Sequence, residues 1–264
     1  MSGGSGMRLT VIGCSGSYPG PDSPASCYLV EGEGPSEDGG TRTWRILLDL
    51  GSGALGRLQQ HADPLSIDAV FLSHLHPDHW FDMSGYYVMR KYHPAGPARR
   101  IPVHGPRGTA TRLARGYGLP TDPGMSREFD VHEYDRHEPA TAGPFRVEVA
   151  KVVHPGDAFA IKVCHGDRSF VYSGDTAPSE ALVDLARGSD LLLAEASFCD
   201  GGDNPEGLHM TGRQAAEAAL AAGVETLVLT HVPPWHDKQV AYDEARPVFA
   251  GRLELAAAGL TYQI

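Results

Sequence analysis

The stretch IDAVFLSHLHPDH, residues 67–79, decides how this chain folds. Its first half is apolar and rich in residues that favour strands, and it reads as a buried strand stopping at His74. Its second half packs His74, His76, Asp78 and His79 into six residues. Imidazole nitrogen and carboxylate oxygen suit zinc and its first-row neighbours. A chain leaving a strand presents alternate residues on one side, so His74 and His76 can share one ion. The turn into the next helix then aims Asp78 and His79 at a second ion. The bland alternative is a polar surface loop with coincidental histidines, and HxHxDH is a far more demanding pattern than that.

Working outward, further His and Asp residues sit at strand ends. Asp49 closes the strand over 44–48 and precedes Gly-Ser-Gly; His154 closes FRVEVAKVV; Asp175 closes FVYSG; His231 closes ETLVLT. Any one of these alone is an ordinary polar strand end. Four of them in one chain with an HxHxDH make up what two coordination shells and their support need.

The remaining pattern predicts strands over 8–13, 27–31, 101–104, 158–164, 168–173, 190–195 and 225–230, with antiparallel strands between 129 and 150. Helices are expected over 54–61, 107–117, 179–187, 212–222 and 238–250, and a last strand over 253–263. Residues 32–40, GEGPSEDGG, read as a mobile hairpin loop. Hairpins come first and β–α alternation later. That order fits an α/β architecture of two mixed sheets packed face to face with helices on both outer faces.

Residues 1–6 read as a flexible tail or appended remnant, with Met7 as a candidate start, and 7–264 as a single domain. No apolar run approaches the roughly 20 residues of a membrane helix, and the first residues lack an export signal. A cytoplasmic protein with reduced cysteines is expected, since Cys14, Cys27, Cys164 and Cys199 form no disulfide framework. The formal net charge of −11 argues against a nucleic-acid coat, because phosphate backbones are held mainly by Lys and Arg. A small anionic substrate is compatible with it, because bound metal ions would reverse the local field. Oligomeric state, a homodimer included, is not legible.

HLHPDH, LLDLGSG, His154, SGDT and LTH resemble the five motifs of the metallo-β-lactamase superfamily and span residues 49 to 231. The resemblance implies an αββα sandwich with two divalent ions in a cleft at one sheet edge. By it, His74, His76 and His154 bind the first ion, and Asp78, His79 and His231 the second. Asp175 bridges them, and Asp49 orients a ligand histidine. Zinc is expected, with manganese or iron as alternatives.

Glu195 in LLLAEASF and His209 in GLHMTGRQAAEAA resemble motifs of the transfer-RNA 3′-processing endonucleases, although Ala194 stands where that branch has His. Thr211 and Gln214 form a capping-box pattern, which would put His209 beside a helix N-terminus favourable to anions. A purely structural Glu195–His209 hydrogen bond is the alternative. That branch grips transfer RNA with a long arm between the third and fourth motifs, and the interval from His154 to Asp175 is too short for one. Residues 12–29, the YHP at 92–94 and HVPPWHD at 231–237 are similar to an actinobacterial group of cyclic-nucleotide phosphodiesterases.

The expected activity is therefore hydrolysis of a small phosphodiester, a 3′,5′-cyclic nucleotide such as cyclic AMP, by a metal-bridging hydroxide. Asp78 would handle the water proton and His209, held by Glu195, the leaving oxygen. The alternatives are an RNA 3′-processing endonuclease and a lactone, thioester or β-lactam hydrolase on the same metals. Tyr18, Trp80, Tyr86 and Trp235 are candidates either for stacking on a base or for packing. The loop over 13–17 is either a plain turn or a pocket wall.

Overall fold

The structure is a computed structural model that describes residues 6–134 and 138–264. Apart from Gly6, the tail expected over 1–6 lies outside the described residues. One sheet holds β1 (Met7–Gly13), β2 (Cys27–Pro35), β3 (Thr41–Leu48), β4 (Ala69–Phe71), β5 (Ile101–Gly105), β6 (Phe129–Glu133) and β14 (Thr261–Gln263), in the order β14-β1-β2-β3-β4-β5-β6. The other holds β7 (Ala140–Ala142), β8 (Phe145–Lys151), β9 (Phe159–His165), β10 (Arg168–Tyr172), β11 (Leu191–Glu195), β12 (Thr226–Thr230) and β13 (Arg252–Leu255), in the order β13-β12-β11-β10-β9-β8-β7.

The period-2 alternation of each strand builds three apolar layers. In β2, Tyr28 and Val30 join Leu9, Ile46, Phe170, Tyr172 and Leu193 between the sheets. Cys27 and Leu29 of the same strand face outward, into the layer covered by α1 (Ala54–Leu58), α2 (Pro77–Trp80), α3 (Met83–Tyr92) and α4 (Thr109–Tyr117). In β11, Leu191 and Leu193 point inward while Leu192 and Ala194 meet α5 (Glu180–Ala186), α6 (Gly212–Ala222) and α7 (Lys238–Ala245). Strands covered on both faces read as nearly continuous apolar runs, as these do. The αββα sandwich expected from the sequence is the observed fold.

Three local readings are corrected. β4 ends at Phe71 rather than running to His74, because the Ser73 amide bonds the Asp49 carboxylate at 2.7 Å instead of a ladder carbonyl. The β2–β3 ladder continues to Pro35↔Thr41, so the hairpin loop is only 36–40. The strand expected over 253–263 is two strands in opposite sheets, β13 and β14, with the chain turning between them at Gly259, whose amide bonds the Val11 carbonyl at 2.8 Å. Helix α3 was not legible in MSGYYVMRKY, a poor intrinsic helix sequence. Packing holds it: Tyr86, Tyr87 and the fully buried Arg90 face the core, with Arg90 Nη1 donating to Tyr86 Oη at 2.9 Å. All four cysteines are unpaired; Cys14 and Cys27 are buried, while Cys164 and Cys199 are only partly so.

Candidate metal centre

Strand direction brings the candidate residues together. β3 and β4 run parallel, as do β10, β11 and β12; β8 is antiparallel to β9, which is antiparallel to β10, so β8 runs with β10. Asp49, His74, His154, Asp175 and His231 each follow the C-terminal end of one of these strands, and Glu195 ends β11. Asp49 and His231 leave their strands with φ of 59° and 56°, in the left-handed region that costs a non-glycine residue of order 1–3 kcal/mol. Two glycines allow the loops to close on the site. A Cβ at Gly51 would lie 1.9 Å from the Asp78 carbonyl oxygen, and one at Gly16 would lie 2.3 Å from the His231 carbonyl oxygen. The 13–17 loop is therefore a buttress for His231.

Two donor groups share Asp175. His74, His76, His154 and Asp175 form one; Asp78, His79, Asp175 and His231 form the other. In the first, His154 Nε2 lies 3.1 Å from His76 Nδ1 and His74 Nε2 lies 3.6 Å from Asp175 Oδ2. In the second, His79 Nε2 is 3.3 Å from Asp175 Oδ1 and 3.2 Å from His231 Nε2, and His231 Nε2 is 3.2 Å from Asp78 Oδ2. Tetrahedral sites with bonds near 2.05 Å place neighbouring donors roughly 3.3 Å apart. The donor atoms thus stand at the mutual spacing a small divalent cation imposes. The buried atoms His74 Nε2 and Asp175 Oδ1 have no hydrogen-bond partner among the described residues. Orphaned buried polar atoms are costly, and a cation between them removes that cost. The donor set fits divalent metal ions.

Electrostatics agrees. Burial first, and then neighbouring imidazoles, push the pKa of His74 well below its usual value; burial likewise lowers His76 and His154. These rings are held neutral, the form that ligates. Burial opposes charge on Asp175, but His231, His79 and His74 more than offset it and hold the carboxyl well below the usual range. Burial also disfavours charge on His79, yet Asp175, Asp49 and Asp78 raise it, which marks a pocket demanding positive charge.

On His79, His154 and His231 the ring nitrogen turned away from the donor group is engaged, and most of the partners were not legible in the sequence. Asp49 Oδ2 accepts from His79 Nδ1 at 2.7 Å, from Ser73 Oγ at 2.7 Å and from Tyr172 Oη at 2.9 Å. His154 Nδ1 donates to the Leu208 carbonyl at 2.7 Å. Ser197 Oγ donates to the His231 carbonyl at 2.8 Å, so its oxygen accepts from His231 Nδ1 at 2.9 Å. Each contact fixes a tautomer that leaves Nε2 bare toward the centre. Ser197 lies 34 residues from His231 in the chain, so no local pattern could announce it.

Glu195 is fully buried and its carboxylate accepts from three groups: Thr176 N at 2.8 Å, Ser197 N at 3.1 Å and His209 Nδ1 at 2.8 Å. Burial alone would lower the His209 pKa; the Glu195 carboxylate overcomes this and brings it up to about 8. Its ring lies 5.4 Å from His154 and 5.8 Å from His231, one from each donor group. The capping box at Thr211 and Gln214 forms as expected. That helix start does hold an anionic group, and it is the chain's own Glu244, whose Oε2 accepts from Gly212 N at 3.1 Å. Among the aromatics, Trp80 and Tyr86 are core residues, with Trp80 Nε1 donating to the Leu75 carbonyl at 3.0 Å and Tyr86 Oη to the Pro64 carbonyl at 2.7 Å. Tyr18 and Trp235 are exposed.

Two face-to-face sheets with His/Asp donor groups at one common edge define the metallo-hydrolase class of this fold. Residues 44–232 match the family model described as the β-lactamase superfamily domain, and the chain belongs to that family. It is 40% identical over 262 residues to the uncharacterized protein Rv1339 of Mycobacterium tuberculosis, covering 98% of this chain and 92% of that one. The probable metallo-hydrolase YhfI of Bacillus subtilis is 28% identical, over 97% of this chain and 100% of its own. The crystal structure of YhfI superposes with a TM-score of 0.82 at 27% identity, covering 98% of this chain and 100% of that one. The ribonuclease Z of Haloarcula marismortui is 27% identical over 314 aligned positions, covering 98% of this chain and 97% of its own. This protein is a metallo-hydrolase. Among the described residues no helix is long and apolar enough to cross a membrane.

Proposed function

We propose that this hydrolase is a two-metal phosphodiesterase whose substrate is a small phosphodiester, a 3′,5′-cyclic nucleotide such as cyclic AMP, with the 5′-monophosphate as product. His74, His76 and His154 would hold one ion, Asp78, His79 and His231 the other, and Asp175 both. Zinc suits these donors, with manganese or iron as alternatives. Bound there, divalent ions acidify a coordinated water and offset charge on phosphoryl oxygens. The chain's own residues do the rest. Asp49 fixes the ring of His79, and the Asp78 carboxylate would accept or relay the water proton. His209, its Nδ1 held by the Glu195 carboxylate, which favours the protonated ring, offers Nε2 to the departing ribose oxygen.

The observation that carries this reading is the Glu195–His209 pair beside both donor groups. Phosphodiester cleavage expels an alkoxide that needs a proton, and a partly buried, charge-paired imidazole supplies one. A small substrate is favoured because β9 and β10 fill the interval between His154 and Asp175, and because the net charge is −11. The identity to a ribonuclease Z favours a second reading, RNA 3′-processing. Against it, that alignment runs over 314 positions where this chain has 264 residues, so the relative carries insertions absent here. Metal-loaded protein assayed on cyclic AMP and on a precursor transfer RNA separates the two. Hydrolysis of cyclic AMP that stops on chelation and returns with metal is expected; cleavage of the RNA alone would overturn the small-substrate reading.

A further inference from the structure

Tyr18 and Trp235 take no part in the donor groups or the core. Trp235 is 60% exposed and Tyr18 44%, unusual for side chains this large and apolar. They touch each other, with ring centroids 5.3 Å apart and planes at 37°. His236 meets the Trp235 ring edge-on at 6.0 Å. Both rings ride on loops fastened next to His231. Gly16 N donates to the Val232 carbonyl at 3.2 Å, Tyr18 N to the Gly16 carbonyl at 2.7 Å, and His236 N to the Pro233 carbonyl at 3.0 Å. A Cβ at Gly20 would lie 3.1 Å from the Pro234 ring, so the two loops are packed together. Two consecutive prolines, Pro233 and Pro234, stiffen the approach to Trp235.

We propose that Trp235, propped by Tyr18, is a stacking platform for the nucleobase of the substrate. The proposal rests on the cyclic-nucleotide phosphodiesterase reading and deepens it by assigning the surface that takes the base. The two rings are too close to admit a base between them, so the base lies on the exposed part of the Trp235 ring that Tyr18 leaves uncovered, and Tyr18 is a positioning residue. A rigid aromatic surface loses little entropy on binding, and base–aromatic stacking contributes about 1–3 kcal/mol. That corresponds to roughly 5- to 150-fold in affinity. Stacking tolerates any base, so this platform selects nucleotides over other phosphodiesters without reading the base.

The test uses the full chain loaded with metal. Titration with AMP should quench Trp235 fluorescence, ribose 5-phosphate should not, and Trp235→Ala should lack the quench. With cyclic AMP, Trp235→Ala should raise KM about 10-fold or more and leave kcat within 2-fold. Tyr18→Ala should raise KM less, and Tyr18→Phe should restore it. Equal quenching by both ligands, or a Trp235→Ala enzyme with unchanged KM for cyclic AMP, overturns the platform alone. If metal-loaded wild type cleaves no phosphodiester, the functional reading fails separately, and the AMP titration still decides whether Trp235 binds a base.

Discussion

Truncating His76 and truncating His209 should both lower activity but differ in whether metal is kept. His76 supplies Nδ1 to the first donor group, 3.1 Å from His154 Nε2. His76→Ala should abolish activity and reduce bound metal, measured by elemental analysis of purified protein. His209 belongs to no ligand set that includes Asp175; it is tied to Glu195. His209→Ala should therefore retain metal while turnover falls about 10²-fold, the usual worth of a general acid. Loss of metal in that variant would make His209 a ligand instead. Asp49, with its three bonds to His79, Ser73 and Tyr172, acts through the ring it holds.

Among the elements, the loops after the strands do the work, and their tolerance is set by contact distance. Gly51 lies where a Cβ would stand 1.9 Å from the Asp78 carbonyl and 3.0 Å from the Ala25 Cβ. Neither neighbour is a flexible side-chain tip, so Gly51→Ala must shift the α2 backbone that carries Asp78 and His79. It should cost about 3 kcal/mol in denaturant unfolding and weaken metal retention as well. β5 and β6 offer a pH-dependent contrast away from the metals. His104 stacks on Phe71 at 4.7 Å and on His132 at 5.1 Å. Burial, then the neighbouring His132, bring its pKa down to about 4. In the unfolded chain it titrates near 6.5, so the unfolded state binds the proton first. Its contribution is complete above about pH 6.5 and is lost as pH falls toward 4. His104→Gln should flatten that loss by on the order of 1–2 kcal/mol, read from urea midpoints at pH 7 and pH 4.5.

For the whole molecule, metal and fold should be coupled. Asp49, Asp78, Asp175 and Glu195 are buried, and of the imidazoles clustered with Asp175, His74 and His154 are held neutral by burial. A cation bound to the native state but not to the unfolded chain stabilises by mass action. Chelated protein should therefore melt several degrees lower than protein returned to excess zinc or manganese. An unchanged Tm would mean that the clustered donors hold no metal under those conditions.

The sequence alone was enough for the αββα architecture and for the residues now found clustered, from Asp49 to His231. Both are written locally: alternation sets which face of a strand is apolar, and HxHxDH with polar residues at successive strand ends is visible one segment at a time. Contacts between distant segments were not visible. Ser197 against His231, the Leu208 carbonyl against His154, and Glu244 closing the α6 N-terminus join residues whose separation carries no periodic signal. Nor could a local pattern separate the core rings Trp80 and Tyr86 from the exposed Tyr18 and Trp235, or divide the C-terminal strand between two sheets. Side-chain type and spacing determine what a segment can become. Which groups meet, and at what distance, is decided only when the two sheets close on each other.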